Sequence, residues 1–338
     1  MGRKAPRWVL AFSLLGSLTA HAGSPVWAIH GDHNTVYLAG SVHLLKAGDS
    51  QLPPAFDRAY SGSKAIVMEL ALDQVDPMQA TTWMMEHGML KGGATLRATI
   101  GDDRYRKVMA EAQRLGVPEE MLDMMEPWVI GLQLLELQYA QLGFNPEEGV
   151  EQQLQHRAHD DGKPITGLET MDDQLGLLAG MPYPDQARFL DMIVTEMHDV
   201  EHETQSVVLA WRNGDAEKLA ALLGDEYKSF PALYRLLVSD RNKRWIPQIE
   251  KLLHGSQDCF VVVGALHLVG EGGLLQLLRH DGFKPEELPA AAAGKVTYKS
   301  KPASPCSADT ARGTCAARNW PPPGQRPNLA SRPETPAG

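Results

Sequence analysis

The chain is expected to fold as an α/β protein, with α+β as the near variant: a central mixed sheet carrying large helical insertions. Three observations lead there. The stretch 26–70 gives strand, helix and strand in succession, the order of a sheet with helical crossovers. Two long blocks, about 77–159 and 171–254, repeat their apolar residues at helical spacing and show little of period two. Late in the chain, FVVVGALHLVG at 260–270 supplies a last strong strand.

The elements follow in order. PVWAI at 25–29, the turn-like HGDHN at 30–34 and the Val-, Tyr- and Leu-rich run 35–43 read as a hairpin whose second strand is largely buried. Residues 52–62 form a helix, started by Pro53 and Pro54 and stopped at Gly62. KAIVMEL at 64–70 has strand length, and KPITGL at 163–168 is another short strand ending at Glu169. A helix over 272–280 closes the domain at about residue 288. From 289 onward Ala, Pro, Ser, Thr and Arg dominate, too few apolar residues remain for a core, and disorder is expected.

The first 22 residues read as a cleavable signal. Arg3, Lys4 and Arg7 make a basic start, 8–20 an apolar stretch too short to span a bilayer comfortably, and Ala20-His21-Ala22 a small-x-small cleavage site. A periplasmic or secreted protein is therefore expected, with no transmembrane segment after cleavage. The formal charge of -10 becomes more negative once the signal is lost, which speaks against a nucleic-acid partner. Cys306 and Cys315 could close a small loop in an oxidising compartment, leaving Cys259 as a buried thiol; no ligand histidine follows to make the tail pair a zinc knuckle.

Two stretches share one pattern: VYLAGSVHLL at 36–45 and FVVVGALHLVG at 260–270 each end an apolar strand in Gly-x-x-His. With 31 Gly and 12 His in the chain, chance alone supplies roughly one such tetrad, so position carries the signal rather than number. Strand ends open into the crevice where α/β proteins bind ligands. Four strand ends would deliver His43, Glu69, Glu169 and His267 to one edge. Two imidazoles with one or two carboxylates suit a divalent transition metal such as Mn, Fe, Co or Zn, and a carboxylate left free could act as general base.

Taken in order, GSVHLL with VMEL, EEGVEQQLQHRAHDDGKPITGLET, SDRNKRW and FVVVGALHLVGEGGLLQLLRHDGF resemble the TraB/PrgY/GumN family, related to the Tiki metalloproteases. The resemblance covers most of 27–283. It implies a Tiki/EreA-ChaN-like α/β fold and a metal site in which His43 and His267 match the motif histidines and Glu69 and Glu169 the strand-end glutamates. It also implies that Arg241 and Asn242 match the family's Arg-Asn pair, contacting a carboxylate or a developing oxyanion, and that the reaction is metal-dependent peptide cleavage. Where the family often has Gly-Val-Asp, this chain has Gly149-Val150-Glu151.

Rival patterns are weaker. His198-Asp199-Val200-Glu201-His202 matches the inverted zinc-protease signature, and on a continuous helix the two histidines would share a face, yet they flank an apolar stripe as a solvated face does. His156 and His159 suit a helix C-terminus, and His30 and His33 a solvated turn. Met84, Met85, Met121, Met124 and Met125 read as core or groove lining rather than as copper or haem ligands. The expected function is an exported metal-dependent hydrolase cleaving peptide or amide bonds; the alternative is a binding protein that sequesters a peptide signal, haem or metal.

Overall fold

The computed structural model describes residues 23–289. The expected signal, the tail from 290, Cys306 and Cys315 lie outside them. The architecture is mixed α/β. A six-stranded sheet runs in the order β6-β4-β7-β2-β1-β8, where β1 is Val26–His30, β2 Thr35–Ser41, β4 Ala65–Met68, β6 Ile165–Gly167, β7 Cys259–Gly264 and β8 Glu286–Glu287. The expected hairpin is there: β1 and β2 are antiparallel. From β2 outward through β7 and β4 to β6, every pairing is parallel.

Sequence chemistry explains the placement. Phe260 to Val263 are 0% exposed, as the central strand of a parallel region covered on both faces should be. The helix Pro54–Gly62 crosses from β2 to β4 and lays Phe56 against Phe260 and Trp211, with ring centroids 6.0 and 5.9 Å apart. Helix Val150–Asp161 leads to β6 and ends at Gly162, whose φ of 64° closes the helix in the left-handed region that favours glycine. Helix Asp240–Leu253 leads to β7 and buries Trp245, Ile249 and Leu253. A two-residue strand, β3 (Leu45–Lys46), pairs with β5 (Phe144–Asn145) and tethers the loop after β2.

The two long blocks are helical as expected, apart from β5, the strand expected at 163–168 is β6, and part of the blocks' apolar surface is buried in a second core of their own. Trp128, Leu134, Phe189, Leu190 and Phe230 belong to it. Helices Pro127–Gln141 and Tyr183–Glu196 approach closely at Gly131, where a Cβ would stand 2.9 Å from the Ile193 side chain.

Two expectations need correction, and one strand was missed. Helix Tyr183–Glu196 stops before His198 and the next helix, Val200–Arg212, starts after it, so His198 and His202 do not share a continuous helix; His198 instead lies 3.4 Å from Glu111. Met84 and Met125 pack against the second core, but Met85, Met121 and Met124 are 70, 51 and 60% exposed rather than core. Strand β8 was not foreseen, because two consecutive glutamates carry no strand signal.

Replacing Phe260 by Ala removes the ring that joins the crossover helix to the central strand. Urea denaturation should show a loss of about 3–5 kcal/mol.

Candidate functional site at the sheet edge

The four parallel strands deliver their chemistry to one edge, as expected. Glu69 directly follows β4, and Glu169 lies two residues past β6. The ladder continues beyond both strands through Leu168 N–H to Met68 O at 2.8 Å and Glu169 N–H to Glu69 O at 3.0 Å, so the two glutamates are locked side by side. His43 lies two residues past β2, and His267 sits in the one-turn helix Ala265–Leu268 that follows β7.

The two Gly-x-x-His motifs are out of step by one residue. Ser41, not Gly40, pairs with Gly264. Because strand side chains alternate faces, the two glycines have different surroundings. A Cβ on Gly40 would stand 3.1–3.3 Å from Ala265 and Leu268, which is core packing. A Cβ on Gly264 would meet Glu69 Oε1 at 3.2 Å, His43 Nε2 at 3.5 Å and His267 Cδ2 at 3.7 Å. Glycine at 264 thus leaves open the point on which the three side chains converge.

Arg241 ties the cluster together. Its Nη2 donates to both Glu69 Oε2 and Glu169 Oε1, its Nε to Glu169 Oε2 at 3.2 Å, and its Nη1 to His267 Nε2 at 2.9 Å and Leu237 O at 3.0 Å. Since a guanidinium only donates, His267 Nε2 is an acceptor; the other ring nitrogen, Nδ1, therefore carries the proton it gives to Asn242 Oδ1 at 2.7 Å. Asn242 is itself fixed by its amide, which donates to His267 O at 3.1 Å and Gly272 O at 2.9 Å. Trp245, one turn on, lies under both the His267 ring and the guanidinium, at 4.5 and 4.7 Å. Immediately before this helix the chain makes a π-helical turn, Arg235–Ser239, a form that recurs at functional sites.

Burial sets the electrostatics. Glu69, Glu169, Arg241 and His267 are all below 10% exposed. Burial, the largest influence on Glu69, opposes its ionisation, yet His267, Arg241, His43 and the Gly264 N–H together outweigh it and hold its pKa at about 2. At Glu169 burial wins and the pKa rises, because Arg241 is shared between two carboxylates and Glu69 repels the second charge. Burial lowers His267 to about 4, so its imidazole is neutral at physiological pH. His43 behaves oppositely: the Glu151 carboxylate, 2.7 Å from its Nδ1, pushes it up to about 9. Its side chain is 65% exposed, and water on that open side moderates the shift.

The donor chemistry fits a divalent metal. A neutral imidazole whose Nε2 lone pair accepts from Arg241, an ionised carboxylate and the Nε2 of a second imidazole surround the gap at Gly264. Among the described residues no three ligand-type side chains stand together at metal-binding spacing, and Arg241 spans His267 and Glu69. Glu169 turns both oxygens to Arg241 rather than to the gap.

All six sequence-predicted residues are therefore brought to one edge: His43, Glu69, Glu169, Arg241, Asn242 and His267. Sequence reasoning missed the carboxylate beside His43, which is Glu151, and Ser41, whose hydroxyl donates to it. It also missed Gln174, whose amide reaches Glu69 Oε2 at 3.4 Å. The only available signal was the sequence Gly149-Val150-Glu151. His156, His159 and His30 find other partners, in Glu147, Asp160 and Thr35. Cys259 is a free, buried thiol in β7.

A family model described as TraB/PrgY/gumN family matches residues 25–287. The Escherichia coli (strain K12) protein named Uncharacterized protein YbaP is 26% identical over 243 residues, which is 72% of this chain and 87% of that protein. A Shigella flexneri protein of the same name matches equally. No solved structure matches the chain.

The opposed histidine shifts make a prediction for the metal-free protein. His267, lowered from 6.5 to about 4, binds its proton more readily when unfolded, so its contribution to stability is lost as pH falls from 6.5 to 4. Glu69 adds to that acid loss below its ordinary value of 4.5. His43, raised from 6.5 to about 9, contributes fully below 6.5 and loses its contribution as pH rises through 9. Urea midpoints should peak near pH 6.5; His267→Gln should flatten the rise between 4 and 6.5, on the order of 2–3 kcal/mol.

Proposed function

The chain belongs to the TraB/PrgY/gumN family, and we propose that its sheet edge is the active site of an exported metal-dependent hydrolase acting on peptide or amide bonds. One observation carries the reading. Glu69, His43 and His267 converge where Gly264 has no side chain, with His267 neutral and Glu69 ionised. Those two are in the protonation state that ligates a cation, while His43, raised to about 9 beside Glu151, would give up a proton as a metal binds.

In this reading His43, His267 and Glu69 hold a divalent transition metal, Mn, Co, Fe or Zn. Bound there, the metal supplies Lewis acidity toward a carbonyl and lowers the pKa of water. The protein's own groups do the rest. Asn242 keeps the His267 proton on Nδ1 and its lone pair on Nε2. Glu169, whose pKa burial raises, is the carboxylate suited to take a proton and return it. Arg241 offers fixed N–H donors in a dry setting, where a developing oxyanion is stabilised most. Five of the six residues are buried and His43 is exposed, so substrate approaches from the His43 side.

A second reading has its own support. Helix Pro77–His87 buries none of its residues and exposes Met78 at 77% and Met85 at 70%, an adaptable apolar surface that suits binding of a peptide or another hydrophobic ligand without turnover. The two readings separate on metal.

Elemental mass spectrometry of the protein purified without affinity metal should find near-stoichiometric Mn, Fe, Co or Zn, lost in His43→Ala and His267→Ala. Glu69→Gln should keep the fold and lower peptide hydrolysis at least 100-fold. A wild type that stays metal-free after reconstitution would leave the binding reading in its place.

A further inference from the structure

His43 is held by a carboxylate that lies outside the cluster. Its Nδ1 lies 2.7 Å from Glu151 Oε1, and the Ser41 hydroxyl donates to that same oxygen. Both donors come from the end of β2, two residues apart, so one carboxylate reads one strand terminus. Glu151 Oε2 is buried and has no hydrogen-bond partner.

The backbone brings Glu151 there with little freedom. The Val150 N–H donates to Val42 O at 3.1 Å, pinning the start of helix Val150–Asp161 to the residue before His43. At Gly149 a Cβ would stand 2.1 Å from His43 O, so only glycine lets the two segments approach this closely. Glu151 falls in the first turn of that helix, where the free N–H groups and dipole favour an anion. Its side chain is 16% exposed while that of His43 is 65% exposed, so the carboxylate forms the floor and the imidazole the rim.

We infer that Glu151 is a positioning residue for His43, seated by Ser41: it fixes the ring so that Nδ1–H faces Glu151 and Nε2 faces the gap at Gly264. The consequence for metal binding rests on the hydrolase reading above; the ring orientation itself does not. An exposed imidazole otherwise rotates freely, and carboxylates behind ligand histidines fix tautomer and direction, at 10–100-fold in metal affinity when removed.

Two measurements test this. In the metal-free protein with ¹⁵N-labelled histidine, His43, assigned through His43→Gln, should show a downfield, exchange-protected Nδ1 proton. The signal should vanish in Glu151→Leu, which keeps the side chain's size but removes the acceptor. Zinc binding, measured by chelator competition, should weaken 10–100-fold in Glu151→Leu, and Glu151→Leu combined with His43→Ala should bind no more weakly than His43→Ala alone. Ser41→Ala, the milder change should Glu151→Leu fail to fold, should broaden the Nδ1 signal and weaken zinc several-fold. A Nδ1 signal that survives in Glu151→Leu, unchanged behaviour of Ser41→Ala, or losses that multiply in the double variant would overturn the assignment. A wild type that binds no zinc would overturn the hydrolase reading instead, leaving the Nδ1 proton to decide the role of Glu151.

Discussion

The structure turns on one buried cation. The parallel ladder of β4 and β6 runs on past its strands and sets Glu69 beside Glu169, two carboxylates removed from water with nothing in the sheet to separate them. Such a pair would expel one charge or push the strands apart unless a cation lay between. Arg241 supplies it, and its planar fork reaches both carboxylates, an imidazole and a carbonyl at once. A lysine could neutralise the charge but could not span that set. Replacing buried ionic clusters of this kind with well-packed apolar side chains is often neutral or stabilising. Its value here lies in holding unlike groups close together: a carboxylate kept ionised, another whose pKa burial raises and an imidazole kept neutral.

The helical insertions complete the setting. Helix Met171–Ala179 begins just after Glu169, sends Gln174 toward Glu69 and receives the Trp83 indole on Asp172 at 2.6 Å. The first insertion thus braces the second, and both stand beside the carboxylates. Part of their apolar surface forms a core of its own, and the rest, Trp211 and Trp245 included, joins the core of the sheet.

Much of this could be read from the sequence, for physical reasons. Strands such as Cys259–Gly264 are apolar and short, and a charged or imidazole side chain follows each within three residues of its end, so His43, Glu69, Glu169 and His267 could be assigned to one edge in advance. What could not be read was register. Gly40 and Gly264 look alike in sequence, but a one-residue offset between β2 and β7 gives the first a packing role and the second a place at the site. The role of Glu151 was hidden because the contact joins residues 43 and 151 through a backbone pin that has no local pattern. At His198 a helical period was visible, but the break between two helices was not: neither Gly nor Pro marks it.

The turn at Arg235–Ser239 binds the length of the chain to its chemistry. A π-helical turn is an α-helix carrying one surplus residue, absorbed by widening the winding instead of breaking it. Everything after it is rotated by about 100° relative to an uninterrupted helix, and Arg241 is among the first residues so rotated. Within the turn one residue is therefore surplus: deleting it would let the winding relax to the ordinary form with the guanidinium still in phase with its two carboxylates. Ordinary winding at unchanged length is what would swing it away, leaving a well-formed helix and an undone site.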